Sequence, residues 1–298
     1  MHIFITGISG LIGRALSKAL ITEGYTVSGL SRSPLRAEKL LPNTIELISS
    51  FDQTPNSKID IIINLAGEPI ADKRWSAQRK QHLYSSRVDF TNHLVEWIKK
   101  HNMNLTAFIS GSAVGYYGRH GCEALDEQAK PHHEYTYHLC HQWEQAALQL
   151  SPDTRVCILR TGLVLSHEGG LLQKLYFPFK LGLGGNLGSG EQYMSWIHIE
   201  DMVNGIIHLI KHPQIFGAFN FTAPYPVTNA EFTKTLASSL KRPAHLHQPP
   251  FVLKIIFGEL SEILLTGQKV IPVKLSNSGF NFAYPKIHPA LTNCISKM

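Results

Sequence analysis

The chain has 298 residues, 43% of them hydrophobic and 17% charged, which excludes a disordered or low-complexity polypeptide and leaves room for one large domain with a smaller lobe. The formal charge of +6 comes from Lys and Arg scattered singly or in pairs, so no nucleic-acid partner is expected and an anionic small ligand is. Cys122, Cys140, Cys157 and Cys294 lie far apart with no C-x-x-C pair, which signals neither a disulfide framework nor a zinc site and points to a reducing cytoplasm.

The opening segment, MHIFITG, reads as a strand over residues 2–6 rather than as a signal peptide. A glycine turn follows, then a helix from Leu11 to Ile21 that Gly24 stops. A second strand runs from Tyr25 to Leu30 and ends in Ser-Arg-Ser. Residues 59–65, IDIIINL, form a nearly continuous apolar strand of the kind buried on both faces. A long helical region spans Trp75 to Lys100, followed by a strand at Leu105–Ser110, a helix from Tyr135 to Leu150 and a strand from Arg155 to Val164.

This alternation predicts an α/β fold: a Rossmann doubly wound parallel sheet with right-handed crossovers and ligand binding at the carboxyl edge. After Ser166 the texture becomes glycine-rich, and a helix at Glu200–Lys211 and a strand at Ala218–Thr222 precede an amphipathic remainder. The expected organisation is a dinucleotide-binding domain over 1–165 and a smaller C-terminal substrate lobe over 166–298, exchanging a strand or helix around 196–225. The stretch Phe251–Leu265 is interrupted by Lys254, Gly258, Glu259 and Glu262, so it reads as an amphipathic helix and no membrane partner is expected.

G-I-S-G-L-I-G places glycines at 7, 10 and 13 between a strand and a helix, the context that the dinucleotide fingerprint requires. Glycine allows the tight turn and close backbone approach, and the N–H groups at the helix start accept a pyrophosphate. Gly7, Ser9, Gly10, Leu11, Ile12 and Gly13 are therefore the expected pyrophosphate-binding residues. Arg14 and Ala15 stand where a Walker loop needs Lys and Ser/Thr, which excludes that alternative. At the end of the second strand NAD binders carry an acidic residue, whereas Ser31, Arg32 and Ser33 occur here, and no carboxylate is expected to oppose the arginine. Arg32 with its flanking serines is the expected partner of a 2′-phosphate, so the expected cofactor is NADP(H). Asn64, Leu65, Ala66 and Gly67 close the buried strand with small residues and an amide, and are expected beside the cofactor's ribose.

The glycine turn, N-L-A-G at 64–67, S-G-S-A-V-G-Y-Y-G at 110–118 and W-I-H-I-E-D at 196–201 together resemble the extended short-chain dehydrogenases/reductases, which include the nucleotide-sugar epimerases. R-T-G-L-V-L at 160–165, G-L-G-G-N-L-G-S-G at 182–190, P-V-T-N-A-E-F at 226–232, G-Q-K-V-I-P-V-K-L at 267–275 and G-F-N-F-A-Y-P at 279–285 narrow the match. They look like the atypical epimerase-family proteins sometimes labelled cell-division inhibitors, and the resemblance covers essentially the whole chain.

The resemblance implies a catalytic Ser at Ser112, with a Tyr and a Lys four residues apart on the following helix. Counting back from Glu144, those positions carry Thr136 and Cys140, so the usual pair is absent. Without a nearby cation a phenol of pKa near 10 is only about 0.1% ionised at pH 7. Tyr137 and His141 repeat the spacing one residue later, which turns them about 100° around the helix; Tyr116 and Tyr117 are the alternative acids, and Tyr116 is the expected proton donor beside Ser112. Arg87 replaces the Asn that the epimerases carry and stands either at the cofactor or in a helix ion pair. His132, His133, His138 and His141 form no metal motif. Asp201 is expected to cap a helix beside His198, and the 182–190 loop is a phosphate nest, a lid or a plain turn.

The functional expectation is an NADP(H)-dependent oxidoreductase or epimerase-like enzyme whose substrate is small and anionic or sugar-like, in a monomer or homodimer. A nucleotide-bound regulator that has lost turnover is the competing expectation.

Overall fold

The computed structural model describes residues 1–298. In chain order, β1 (His2–Thr6), α1 (Leu11–Thr22), β2 (Thr26–Leu30), α2 (Pro34–Glu38), β3 (Glu46–Ile48) and β4 (Ile61–Asn64) are followed by α3 (Ala77–Tyr84), α4 (Phe90–Lys100), β5 (Ala107–Ala113), α5 (Tyr135–Leu148) and β6 (Val156–Thr161). Next come β7 (Leu163–Ser166), α6 (Leu171–Lys180), β8 (Trp196–His198), α7 (Ile199–Lys211) and β9 (Gly217–Phe221), and then α8 (Asn229–Ser239), α9 (Pro250–Phe257), α10 (Ser261–Leu265), α11 (Val273–Asn277) and α12 (Ile287–Ser296). The central sheet has seven parallel strands in the order β9-β6-β5-β4-β1-β2-β3. The expected Rossmann α/β fold is what forms.

Both faces of the sheet are buried, which explains why its strands read as apolar runs. Ile3, Ile5, Ile61 and Ile63 face a core built with Leu16 and Leu20 of α1 and with Met202 and Ile206 of α7. The alternate residues Phe4, Ile62 and Phe108 face a second core with Leu94, Trp97 and Ile98 of α4. A third core joins Leu172 of α6, Phe232 and Leu236 of α8 and Leu291 of α12, outside the sheet. The chain returns to the sheet from this outer region, because α7 packs in the first core and β9 pairs in register with β6.

Three elements differ from the sequence reading for identifiable reasons. The single strand expected over Arg155–Val164 breaks at Gly162, where a Cβ would lie 2.5 Å from the Ser195 carbonyl oxygen; β6 stays in the central sheet and β7 pairs with β8. The helical region Trp75–Lys100 is divided by a π-helical turn at Ser85–Asp89, a widening that sequence periodicity does not register. The amphipathic helix expected over Phe251–Leu265 is two helices, because Gly258 adopts φ +57° between them. No helix is long and apolar enough to cross a membrane.

Candidate functional site

The carboxyl ends of β1, β2, β4, β5 and β6 form one edge, and the site is built along it. Gly7 leaves β1 at φ +67°, and a Cβ there would lie 2.6 Å from the Leu65 carbonyl oxygen, so two chain segments touch where only glycine fits. Gly10 is the N-cap of α1 in an extended conformation, with no side-chain cap and no acidic residue in the first turn. The leading N–H groups of α1, at Leu11, Ile12 and Gly13, therefore have no intrahelical acceptor, and the positive end of the helix dipole is unopposed. Gly13 seats the helix on the turn, since a Cβ there would lie 2.4 Å from the Gly7 carbonyl oxygen. Ser9 and Gly10 are exposed beside it. The arrangement presents an anion-binding cradle of backbone N–H groups.

At the end of β2, Ser31 is buried and its hydroxyl accepts from the Ser33 N–H at 3.3 Å. Arg32 projects outward, its side chain 91% exposed. The expectation that no carboxylate opposes it is corrected here: Glu68 Oε1 lies 3.4 Å from the Arg32 guanidinium. The two are 36 residues apart and meet only because β2 and β4 flank β1.

Asn64 supports the edge from within. Its side-chain oxygen accepts from Thr6 Oγ1 at 2.7 Å, and its Nδ2 donates to Thr91 Oγ1 at 2.9 Å and Ser110 Oγ at 3.2 Å. Backbone at Leu65 and Ala66, rather than the Asn64 amide, is what faces the glycine turn. Arg87 donates to the Glu68 carbonyl at 2.7 Å and the Leu83 carbonyl at 3.2 Å, with its guanidinium 5.3 Å from the Trp143 ring centroid. It holds the loop after Gly67, and burial pulls its pKa below the ordinary value.

Ser112, on β5, donates to Glu144 Oε1 at 2.7 Å. Glu144 is clasped by Arg160 of β6 through two parallel hydrogen bonds of 2.9 Å, and both side chains are 6% exposed. Arg160 also donates to the Tyr117 hydroxyl at 3.1 Å, which in turn donates to Asn220 of β9 at 2.7 Å. Burial pushes the Tyr117 pKa up to about 12. Burial alone would lower that of Arg160, but its hydrogen bonds and attraction to Glu144 carry it above the ordinary value. The Arg160 guanidinium lies 3.4 Å from the centroid of the Tyr116 ring. The sequence points to Ser112, Tyr116, Tyr117 and Glu144 but not to Arg160 or Asn220 as members of the site. An arginine inside the apolar strand V-C-I-L-R-T was the available signal, because a buried charge requires a partner.

Thr136 and Cys140 lie side by side under the 3-10 turn Val114–Tyr117: a Cβ on Gly115 would be 3.2 Å from Thr136 Cβ and 3.6 Å from Cys140 Sγ. That turn packs directly against both side chains. Thr136 Oγ1 donates to Glu134 at 2.8 Å, and burial pushes the Cys140 thiol up to about 12, so it is no nucleophile. Tyr137 and His141 stack at 5.3 Å, and Tyr137 meets the Tyr116 ring edge-on at 5.6 Å.

One further expectation changes, and the alternatives for the 182–190 loop narrow to one. His198, not Asp201, caps α7, its Nδ1 accepting from the Glu200 N–H at 3.2 Å. Asp201 is buried and instead accepts from the N–H groups of Ala283 and Tyr284 at 2.7 and 2.9 Å, anchoring the C-terminal segment. The 182–190 loop is a packed turn. The Leu187, Gly188 and Gly190 N–H groups bond to Asn229, Gln248 and Leu187, and a Cβ on Gly185 would overlap the Leu246 carbonyl.

A model of the NAD dependent epimerase/dehydratase family matches residues 3–220, and a domain of unknown function matches 248–294. The chloroplastic epimerase family protein SDR39U1 homolog of Arabidopsis thaliana is 36% identical over 298 residues, covering 98% of this chain and 86% of the plant protein. Epimerase family protein ML0860 of Mycobacterium leprae is 38% identical over 291 residues, covering 97% and 94%. Among solved structures, human epimerase family protein SDR39U1 with NADPH superposes with a TM-score of 0.91 at 31% identity, covering 100% of both chains. UDP-glucuronic acid 4-epimerase from Bacillus cereus, at 19% identity and a TM-score of 0.80 over 100% of this chain and 99% of that one, shares the fold. The chain belongs to the NAD dependent epimerase/dehydratase family.

Proposed function

We propose that the protein is an NADP(H)-dependent oxidoreductase acting on a small anionic or sugar-like compound in the cleft between the sheet edge and the outer helices. The observation that carries this reading is the pairing of an open, uncapped helix start at Gly10 with an outward Arg32 at the end of β2. The human relative solved with NADPH supports the same cofactor. The N–H groups from Leu11 to Gly13 would hold the pyrophosphate, Arg32 the 2′-phosphate, and the Leu65–Gly67 backbone the ribose. Once bound, the cofactor supplies or accepts hydride at its nicotinamide ring.

The chain's own residues would orient the reacting group and move a proton. Because the Ser112 hydroxyl donates to Glu144, what it offers a substrate is a lone pair, so it would receive a substrate hydroxyl rather than polarise a carbonyl. Tyr117 is tied to Arg160 and Asn220, which leaves Tyr116 as the phenol for proton transfer.

The test is cofactor binding followed by exchange. NADPH is expected to raise Tm more than NADH at equal concentration, and Arg32→Ala to weaken NADPH about tenfold, the lower end expected for a charge-assisted bond at an exposed site. Equal affinity for both cofactors in the wild type, unchanged by Arg32→Ala, would sink the assignment. Stereospecific hydride exchange that is lost in Tyr116→Phe supports turnover; saturable NADPH binding without exchange across a broad carbonyl panel favours a nucleotide-bound regulator.

A further inference from the structure

The carboxylate facing Arg32 is held in place. The Glu68 N–H donates to Ser86 Oγ at 3.2 Å and its carbonyl accepts from Arg87 at 2.7 Å, so its backbone is pinned on both sides. Its Oε2 lies 3.5 Å from the guanidinium of Arg79, a side chain only 8% exposed that also bonds the Pro69 carbonyl. The remaining oxygen, Oε1, is the one turned to Arg32. Of the two partners Glu68 is the fixed one, and Arg32 is free to move.

We propose that Glu68 sets the cofactor selectivity of the site by opposing the 2′-phosphate at Arg32. This rests on the NADP(H) reading above and adds a residue to it. A 2′-phosphate reaching Arg32 carries nearly two negative charges and meets a carboxylate that cannot withdraw. If Arg32 turns fully to the phosphate, it surrenders Glu68; if it bridges both, the two anions repel across one guanidinium. Both routes weaken NADPH. A ribose 2′-hydroxyl suffers neither penalty and can donate a hydrogen bond to the carboxylate. Glu68 thus narrows the preference for NADPH that Arg32 creates.

The test is titration of NADPH and NADH into wild type, Glu68→Gln, Glu68→Asp and Arg32→Ala. Glu68→Gln is expected to tighten NADPH about two- to fivefold, as suits an exposed ion pair, and to leave NADH unchanged or weaker. The gain shrinks when salt rises from about 0.05 to about 0.5 M. Glu68→Asp, whose shorter side chain draws the charge back from Arg32, is expected to tighten NADPH less than Gln does. If Gln weakens both cofactors together through a disturbed loop, the NADPH-to-NADH ratio of the Asp variant decides. NADPH binding that Glu68→Gln leaves unchanged or weakens selectively overturns the proposal. Failure of the NADP(H) reading looks different, since Arg32→Ala would then leave NADPH binding untouched; with Arg32→Ala weakening NADPH and Glu68→Gln not tightening it, Glu68 alone is the error.

Discussion

Replacing Glu144 by leucine should destabilise the protein far more than replacing Glu144 and Arg160 together. The carboxylate takes two hydrogen bonds of 2.9 Å from Arg160 and one of 2.7 Å from Ser112, at a position 6% exposed. Without it, the guanidinium keeps as hydrogen-bond partners only the Tyr117 hydroxyl at 3.1 Å and the Glu127 carbonyl at 3.3 Å, beside the face of the Tyr116 ring, none of which carries a compensating charge. An uncompensated buried charge of this kind costs about 3–5 kcal/mol. In a chain of this length that lowers Tm by about 5–8 °C. Arg160→Met should cost a similar amount for the reciprocal reason. The double variant Glu144→Leu with Arg160→Met places two apolar side chains of similar volume against each other, and should cost only about 1–2 kcal/mol, well below either single and far below their sum. The assay is urea unfolding of the four proteins, followed by tryptophan fluorescence and circular dichroism. Single variants costing less than about 1 kcal/mol, or single costs that simply add, would show that the pair is no interdependent unit.

Gly7→Ala should lose NADPH binding and stability together, since its Cβ would meet the Leu65 carbonyl at 2.6 Å in a backbone conformation of φ +67° that alanine rarely adopts; isothermal titration showing wild-type affinity would contradict that geometry. Stability should fall as pH drops from about 6.5 towards 4, because burial lowers the His198 pKa to about 4. The unfolded chain takes up its proton near pH 6.5 while the folded chain stays neutral, so the contribution is complete above the unfolded pKa and is lost as pH falls through the folded one. His198→Asn keeps a cap for α7 and removes the titration, so its stability curve should be flatter over that window; a curve parallel to wild type would show that other groups govern the acid limb.

The strands and helices that carry the dinucleotide turn were legible because their signals are local. Residues 61–63 read as a doubly buried strand from three consecutive isoleucines, and Gly24 stops α1 at φ +83° within two residues of where composition puts it. The break at Gly162 was not legible. Nothing in R-T-G-L-V-L distinguishes a glycine inside a strand from one that lets the Ser195 backbone approach, and the approaching segment lies more than thirty residues on.

The Rossmann scaffold, the place of the glycine turn and the absence of a Tyr-x-x-x-Lys pair from the helix at 135–148 are legible in the sequence alone, because each depends on spacing along a few turns or strands of chain. What surrounds them depends on segments distant in the chain. Sheet order brings Asn220 to Tyr117 across 103 residues, Glu144 to Arg160 across 16, and Glu68 to Arg32 across 36. Those pairings follow from which strands lie side by side and how far each side chain reaches, and neither quantity is written in local periodicity. Arg32 alone pointed to a phosphate; the fold supplied the carboxylate that opposes it.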